Sequence, residues 1–470
     1  MKLHRGMEKP CGDSSPRSSR STTPRRCPPA WLNARPHEAE ATGNESDARN
    51  QARGLPGRAA RTDSLEHMRI LSLIHLYPPH HLGGYEIACR GVMERFNDNG
   101  HDVRVLASDA RLTDTDPDSS PNSIEVLREL HPWFDMEEFS PLRPSLSTRI
   151  SIERHNERAV RRAVASFQPD VASIWSMGYM SWSALSILEE LRIPLVVTVL
   201  DDWICWAFVY DAWMRMFDHR PWARPLGAIL GLKTRLPTFT GATVNVASRT
   251  IASQISEYGR WKFPDAPVVP IGVDTSEIPI VEPEDRNWDW KLLYVGRVVA
   301  NKGVLTLVRA LALLPAQASL EVVGHAPATE LEAMTTLAEQ LGVRERISFA
   351  RAPRELLAAR YRKANVLVFP SEWAEPFGIV PLEAMACGIP VVATGTGGSG
   401  EYLADGQNCV LFSPGDPIAL ADAVRRVAEN QSLRNEIVAG GTRTARALTM
   451  DRYAAELEKL HESAIARHHD

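Results

Sequence analysis

Short apolar runs alternate with amphipathic stretches along most of this chain, a pattern that opens abruptly with MRILSLIHL at 68–76. Strands buried on both faces read as continuous apolar runs of about four to eight residues, whereas the helices covering them repeat apolar positions every three to four. The pattern predicts strands at 69–76, 102–107, 171–175, 194–200, 242–247 and 267–271, with helices at 84–98 (ending at Gly100), near 180–191 and from 249. A polar, Trp-bearing stretch, VEPEDRNWDW at 281–290, then interrupts the alternation. Beyond it, strands are predicted at 291–296, 319–324, 346–349, 365–369, 390–394 and 409–411, separated by helices at 302–314, 328–341, 353–363 and 379–387. Such alternation selects parallel sheets with helices on both faces. The fold class is therefore α/β in two domains, 68–280 and 281–449, followed by a C-terminal segment, 450–470, whose helical stretch at 450–466 is placed to pack back across the first domain.

Residues 1–67 lack apolar periodicity and carry blocks such as SSPRSSRSTTPRR at 14–26, so they are expected to form a disordered N-terminal extension, and Met68 is a candidate natural start. A length of 470 residues is too much for one ordinary core and fits two domains plus a tail. A net charge of -5, with 44% hydrophobic and 24% charged residues, argues against a nucleic-acid binder held by bulk positive charge. The cysteines, Cys11, Cys27, Cys89, Cys205, Cys387 and Cys409, have no paired spacing, so neither a disulfide framework nor a zinc site is expected. No apolar run approaches the roughly 18 residues of a membrane span, and no secretory core opens the chain, so a cytoplasmic protein, at most peripheral to the inner membrane face, is expected.

Two segments concentrate chemistry. In SEWAEPFGIVPLEAMACGIPVVAT at 371–394, Glu375 lies in the loop after a strand, while Gly378, Ile379 and Val380 open the next helix with N–H groups that no helical carbonyl satisfies. Glu383 falls about one turn inside, placed to reach ligand hydroxyls while phosphates sit at the helix terminus. Two glutamates around a helix start are ordinary, since the macrodipole favours acids there. The added Pro376, Phe377, Pro381, Gly388 and Pro390 fix turn, helix and next strand together, which that bland reading does not require. In YVGRVVANKGV at 294–304, the chain turns at Gly296 and sets Arg297 and Lys302 just before a helix. A diphosphate leaving group needs its growing charge stabilised, and charge-assisted hydrogen bonds contribute roughly 1.5–3 kcal/mol each.

With these motifs the chain, over roughly 68–460, resembles the retaining glycosyltransferases of the GT-B fold known as family 4, built from two Rossmann-like domains facing each other across a cleft. The resemblance implies that Arg297 and Lys302 grip the donor diphosphate, that Glu383 holds the ribose hydroxyls, that Glu375 contacts the transferred sugar, and that the Phe377–Val380 backbone cradles sugar and phosphate. Gly324 in EVVGHAP would border the base, and Gly397, Gly398 and Glu401 in TGTGGSGEYL complete the C-terminal pattern. In the first domain, Gly83 and Gly84 of PPHHLGGYE match a glycine-rich loop beside the donor phosphates. The resemblance further implies donor binding in the second domain, acceptor binding in the first, and no cofactor, the nucleotide-diphosphate sugar being a co-substrate.

One departure stands out. Where many members have His-Asp, this chain has Leu200-Asp201, and leucine can neither donate nor accept a hydrogen bond. Asp201 or Asp202 is a candidate for part of that role, the alternative being a rebuilt acceptor side, with His75, His80 and His81 as nearby compensating groups or simply solvated loop histidines. Residues 203–232 carry Trp203, Trp206, Phe208, Tyr210, Trp213, Met214, Met216, Phe217 and Trp222 among Arg215, Arg220 and Arg224, with Lys233 just beyond. Core packing, an acceptor wall and peripheral membrane contact all fit that composition. The resemblance implies transfer with retention, hence a front-face route, to a saccharide, glycolipid or small-molecule acceptor, and metal independence is expected because no Asp-x-Asp pair stands beside the diphosphate motif. A GT-B-like epimerase or phosphorylase, or a non-catalytic sugar-nucleotide-binding subunit, are the alternatives.

Overall fold

The computed structural model describes residues 67–112, 124–135, 140–284 and 286–469, so the expected disordered extension lies outside the described residues apart from His67. The first sheet contains β1 (Arg69–Ile74), β2 (Asp102–Ser108) and β3 (Glu125–Leu130); a small antiparallel pair, β4 (Phe134–Asp135) and β5 (Ser140–Pro141), stands apart; β6 (Val171–Ile174), β7 (Leu195–Val199) and β8 (Thr243–Val246) complete the sheet. The second sheet contains β9 (Lys291–Val295), β10 (Ser319–Val323), β11 (Ile347–Ala350), β12 (Val366–Phe369), β13 (Val391–Ala393) and β14 (Val410–Leu411). Both sheets are parallel throughout, in the orders β3-β2-β1-β6-β7-β8 and β11-β10-β9-β12-β13-β14. Each begins in the middle and winds outward in both directions. The winding reverses between β1 and β6 and between β9 and β12, and beyond the carboxyl ends of such strands the diverging connections leave a crevice.

Side-chain alternation decides the packing. In β1, Ile70 and Ile74 enter a core shared with the second domain, whereas Leu71 and Leu73 face Trp182, Trp203 and Trp213 on the opposite side. A third core, with Leu307, Val308, Leu420 and Val424, covers the far face of the second sheet. The helix Met450–His469 does pack back on the first domain: Tyr453 and Leu457 are buried, His461 meets Phe96 edge-on at 5.2 Å, and His101 pairs with Glu458 at 2.8 Å. Among the described residues no helix is long and apolar enough to cross a membrane.

Several predicted elements differ. The strand expected at 267–271 is reduced to a bridge between Val246 and Val268, because Pro267 and Pro270 supply no N–H to a ladder. The helix expected over 353–363 is regular only at Leu357–Lys363, after a short tight turn at Arg354–Leu356. The one expected at 302–314 begins at Val304, because Gly303 has φ +70°. The stretch 281–290 is no free linker: Val281 N–H donates to Ala386 O at 2.9 Å, and Trp288 and Trp290 pack on the third core.

Candidate functional site

The loops after β9 and β12 meet at the second sheet's reversal point. Glu372 N–H donates to Asn301 O at 2.9 Å, and a Cβ on Gly303 would lie 1.9 Å from Pro370 O, an approach that only glycine permits. This join brings Lys302 Nζ to 2.6 Å from Glu375 Oε1, with side chains 18% and 4% exposed. The basic and acidic motifs therefore converge in space. Burial lowers the Lys302 pKa and Glu375 opposes the shift, while the Trp373 ring lies 5.2 Å from the ammonium. Behind Glu375, the Gly398 N–H donates to its carbonyl at 2.7 Å, so the glycine-rich turn at 397–401 supports the acidic loop. Gly324 sits beside the same loops, where Gly296 N–H donates to Val323 O at 2.9 Å.

Arg297 is brought to the same loop but not into the ion pair. It is exposed, its carbonyl accepts from Tyr294 OH at 2.6 Å, and its charge is felt across the cleft at Tyr179, where burial pushes the phenol up to about 12 and Arg297 opposes it.

The helix Ile379–Ala386 starts at Gly378, φ +83°, with no side chain capping its first N–H groups. Phe377 is buried under Tyr402, whose hydroxyl donates to the Gly378 carbonyl. One turn in, Glu383 is 1% exposed. Its Oε2 accepts from Tyr361 OH at 2.7 Å, and Arg354 Nη2 stands 2.9 Å from Oε1 as an ion pair, out of line for a hydrogen bond. Arg354 also bonds Glu277 through Nε. Burial works against the Arg354 charge, but Glu383 and Glu277 outweigh it and raise its pKa. Sequence reasoning missed Arg354, Tyr361 and Glu277: two lie in an amphipathic run and one near the linker, with no local signal of a shared partner.

The first domain supplies the other wall. A Cβ on Gly84 would lie 3.9 Å from Ile379 Cγ2, so the starts of helices Gly84–Asp98 and Ile379–Ala386 face each other. Gly83 N–H donates to Glu86 Oε2 at 3.1 Å, and Glu86 Oε1 pairs with His75 Nε2 at 2.8 Å. Burial disfavours both charges, yet the pair itself outweighs it, raising the His75 pKa and lowering that of Glu86. The lobes touch directly: Ser248 Oγ donates to Pro376 O at 2.5 Å, and Thr250 N–H to Glu401 Oε1 at 3.1 Å.

At the end of β7, Leu200 turns its side chain into the core, while Asp201 is half-buried and accepts from Trp203 N–H at 2.9 Å. Burial pushes the Asp201 carboxyl up to about 7, with the Trp203 N–H opposing and Asp202 reinforcing. Of the histidines, His75 is locked to Glu86, His80 accepts from Leu112 N–H at 3.2 Å, and His81 is exposed. In the aromatic segment Trp203, Trp213, Met214 and Phe217 are core, whereas Trp222 is 79% and Ile229 82% exposed. Among the described residues no group of three or more His, Cys, Asp or Glu is placed to hold a metal ion.

Comparison with known proteins follows this division. Residues 280–444 match the family Glycosyl transferases group 1, and residues 83–273 match the Glycosyl transferase 4-like domain. A D-inositol 3-phosphate glycosyltransferase of Xylanimonas cellulosilytica is 35% identical over 310 residues, 62% of this chain and 71% of the relative. Sucrose-phosphate synthase from Thermosynechococcus elongatus superposes with TM-score 0.62 at 22% identity, covering 85% of this chain and all (100%) of that one. Anabaena HepE, solved in complex with UDP and glucose, gives TM-score 0.59 at 19% identity, with 84% and 99% covered. These two structures share the fold.

Proposed function

Since the chain belongs to the glycosyl transferases group 1 family and carries the GT-B fold of family 4 glycosyltransferases, we propose that it moves a hexose from a nucleoside-diphosphate sugar to an acceptor hydroxyl with retention and without a metal. The observation that carries this reading is the meeting of Lys302 and Glu375 at 2.6 Å beside the uncapped helix start at Gly378. In this reading Lys302 and the exposed charge of Arg297 take the diphosphate, and the Phe377–Val380 backbone, Gly296 and the facing Gly83–Gly84 turn line the phosphates and sugar. Glu375 holds the transferred sugar, Glu383 the ribose, and Gly324 borders the base. The departing diphosphate oxygen takes the acceptor proton on the face it leaves, while fixed donors stabilise the charge that develops. No cofactor enters this scheme.

The acceptor binds against the first domain, near Asp201. Exposed Trp222 and Ile229 beside Arg224 support peripheral contact with a membrane, and with it a glycolipid among the saccharide and small-molecule acceptors. A uridine-linked donor is the first to try, because HepE was solved with UDP and glucose.

The test is transfer from a panel of nucleotide sugars in the presence of chelator, with the anomeric configuration of the product read by NMR. Retention is expected, and Lys302→Ala and Glu383→Ala are each expected to lose about 100-fold or more in turnover while still folded. Undiminished turnover in folded Lys302→Ala, or an inverted product, contradicts the reading. Donor binding without transfer to any acceptor would instead favour a sugar-nucleotide-binding subunit.

A further inference from the structure

A continuous line of ion pairs runs from the first domain to the buried carboxylate of the second. Arg90, on helix Gly84–Asp98, bonds Glu277 through Nη2; the other oxygen of Glu277 receives Arg354 Nε; and Arg354 Nη2 stands 2.9 Å from Glu383 Oε1. Glu277 belongs to the stretch where the chain leaves the first domain, and that stretch is pinned again by Arg95, 3.1 Å from Asp274. The guanidinium is a rigid planar fork, so a shift of one carboxylate it holds turns the plane presented to the other. Tyr361 holds Glu383 at Oε2, and that one bond does not by itself set the direction of Oε1. Arg354 is therefore the group that sets the angle of Oε1, which receives no aligned hydrogen bond and retains accepting capacity.

We propose that Arg354 is a positioning residue that makes the grip of Glu383 on the donor ribose depend on the seating of the interdomain stretch held by Glu277 and Arg90. This rests on the donor reading above. Closure of the lobes and recognition of the ribose then become one event, since helix Gly84–Asp98 also carries the Gly84 end that faces Ile379.

Calorimetric binding by the full chain of UDP and GDP, each with its 2′-deoxy and 3′-deoxy counterpart, tests this without requiring turnover. In the wild type, loss of a ribose hydroxyl is expected to weaken binding of the preferred nucleotide about tenfold or more, as for a hydrogen bond to a buried charge. In Arg354→Gln that penalty should shrink to about threefold or less, with partial return in Arg354→Lys. Glu277 and Arg90 lie outside the proposed donor contacts and reach Glu383 only through Arg354, so Glu277→Gln and Arg90→Gln should shrink the penalty too, which a purely local role for Arg354 does not require. A wild-type penalty that persists unchanged in Glu277→Gln and Arg90→Gln overturns the coupling alone, even if Arg354→Gln fails to fold. No binding, or no deoxy penalty, in the wild type overturns the coupling and the donor reading together.

Discussion

Leu200 occupies the position where a histidine is expected, and it packs inward while its N–H is 3.2 Å from Tyr85 OH. The neighbouring Asp201 has the opposite character, with a carboxyl pushed up to about 7 by burial. The fold thus holds a proton that the unfolded chain gives up at ordinary carboxylate pH, so the stability contributed by protonated Asp201 is lost as pH rises through about 7. Below that pH the side chain has an O–H to offer the sugar; above it, only acceptor oxygens remain. The expected outcome is a transfer rate that falls on the alkaline side with a midpoint near 7, a limb that Asp201→Asn, a permanent N–H donor, flattens while keeping most turnover. Asp201→Ala should lose about tenfold. A pH–rate profile whose alkaline limb is the same in Asp201→Asn and wild type assigns the titration elsewhere. Lys302, Glu375 and Glu383, whose proposed roles are local, announce themselves within short motifs. Arg354 and Tyr361 did not, because their meaning lies in a partner on another element.

At the scale of elements, the turn at Gly303 has the most to lose. Its φ of +70° disfavours any side chain, and a Cβ would have to displace Pro370 O from 1.9 Å. Gly303→Ala must therefore part the two loops whose junction aligns Lys302 with Glu375. Destabilisation of at least about 2 kcal/mol is expected by denaturant unfolding, with a larger loss in transfer than in overall helicity. A midpoint equal to wild type would mean that the loops are not held this tightly. Most strands were readable because buried parallel strands are continuous apolar runs; β3 was not, because Glu125, Arg128 and Glu129 interrupt its apolar residues. The 22-residue helix Leu146–Phe167 was not, because its inner face includes Glu153 and Asn156 and breaks the apolar period. Helix Gln431–Ala447 was hidden by Gly440, which reads as a breaker yet is there for contact: a Cβ on it would lie 1.8 Å from Gln407 O.

Across the whole molecule, the chain passes between the lobes twice, and the two crossings are bonded to each other. Val273 N–H donates to Leu448 O and Met450 N–H donates to Val273 O, both at 2.9 Å, which makes outward and return segments a short parallel bridge. Gly272 permits the approach, since a Cβ there would lie 2.0 Å from the Thr449 carbonyl carbon. Helix Met450–His469 then anchors the return on helix Gly84–Asp98, and Arg95 ties the bridge down by pairing with Asp274 at 3.1 Å and Asp451 at 2.5 Å. The sequence suggested that the last helix crosses back, but not that its crossing is bonded to the outward one, because the contact is backbone against backbone and leaves no pattern of side chains. Gly272→Val should pry the crossings apart while leaving both six-stranded sheets intact. Circular dichroism is then expected to stay close to wild type, and nucleotide affinity to fall by no more than about tenfold, the share that the ribose hydroxyls contribute through Glu383, because the other proposed donor contacts lie mostly in the second domain. Turnover should fall about 100-fold, since a misplacement of about 1 Å between reacting groups is enough for that loss. If turnover and nucleotide affinity instead fall in equal proportion, the bridge supports the donor site itself and does not act through the register of the lobes.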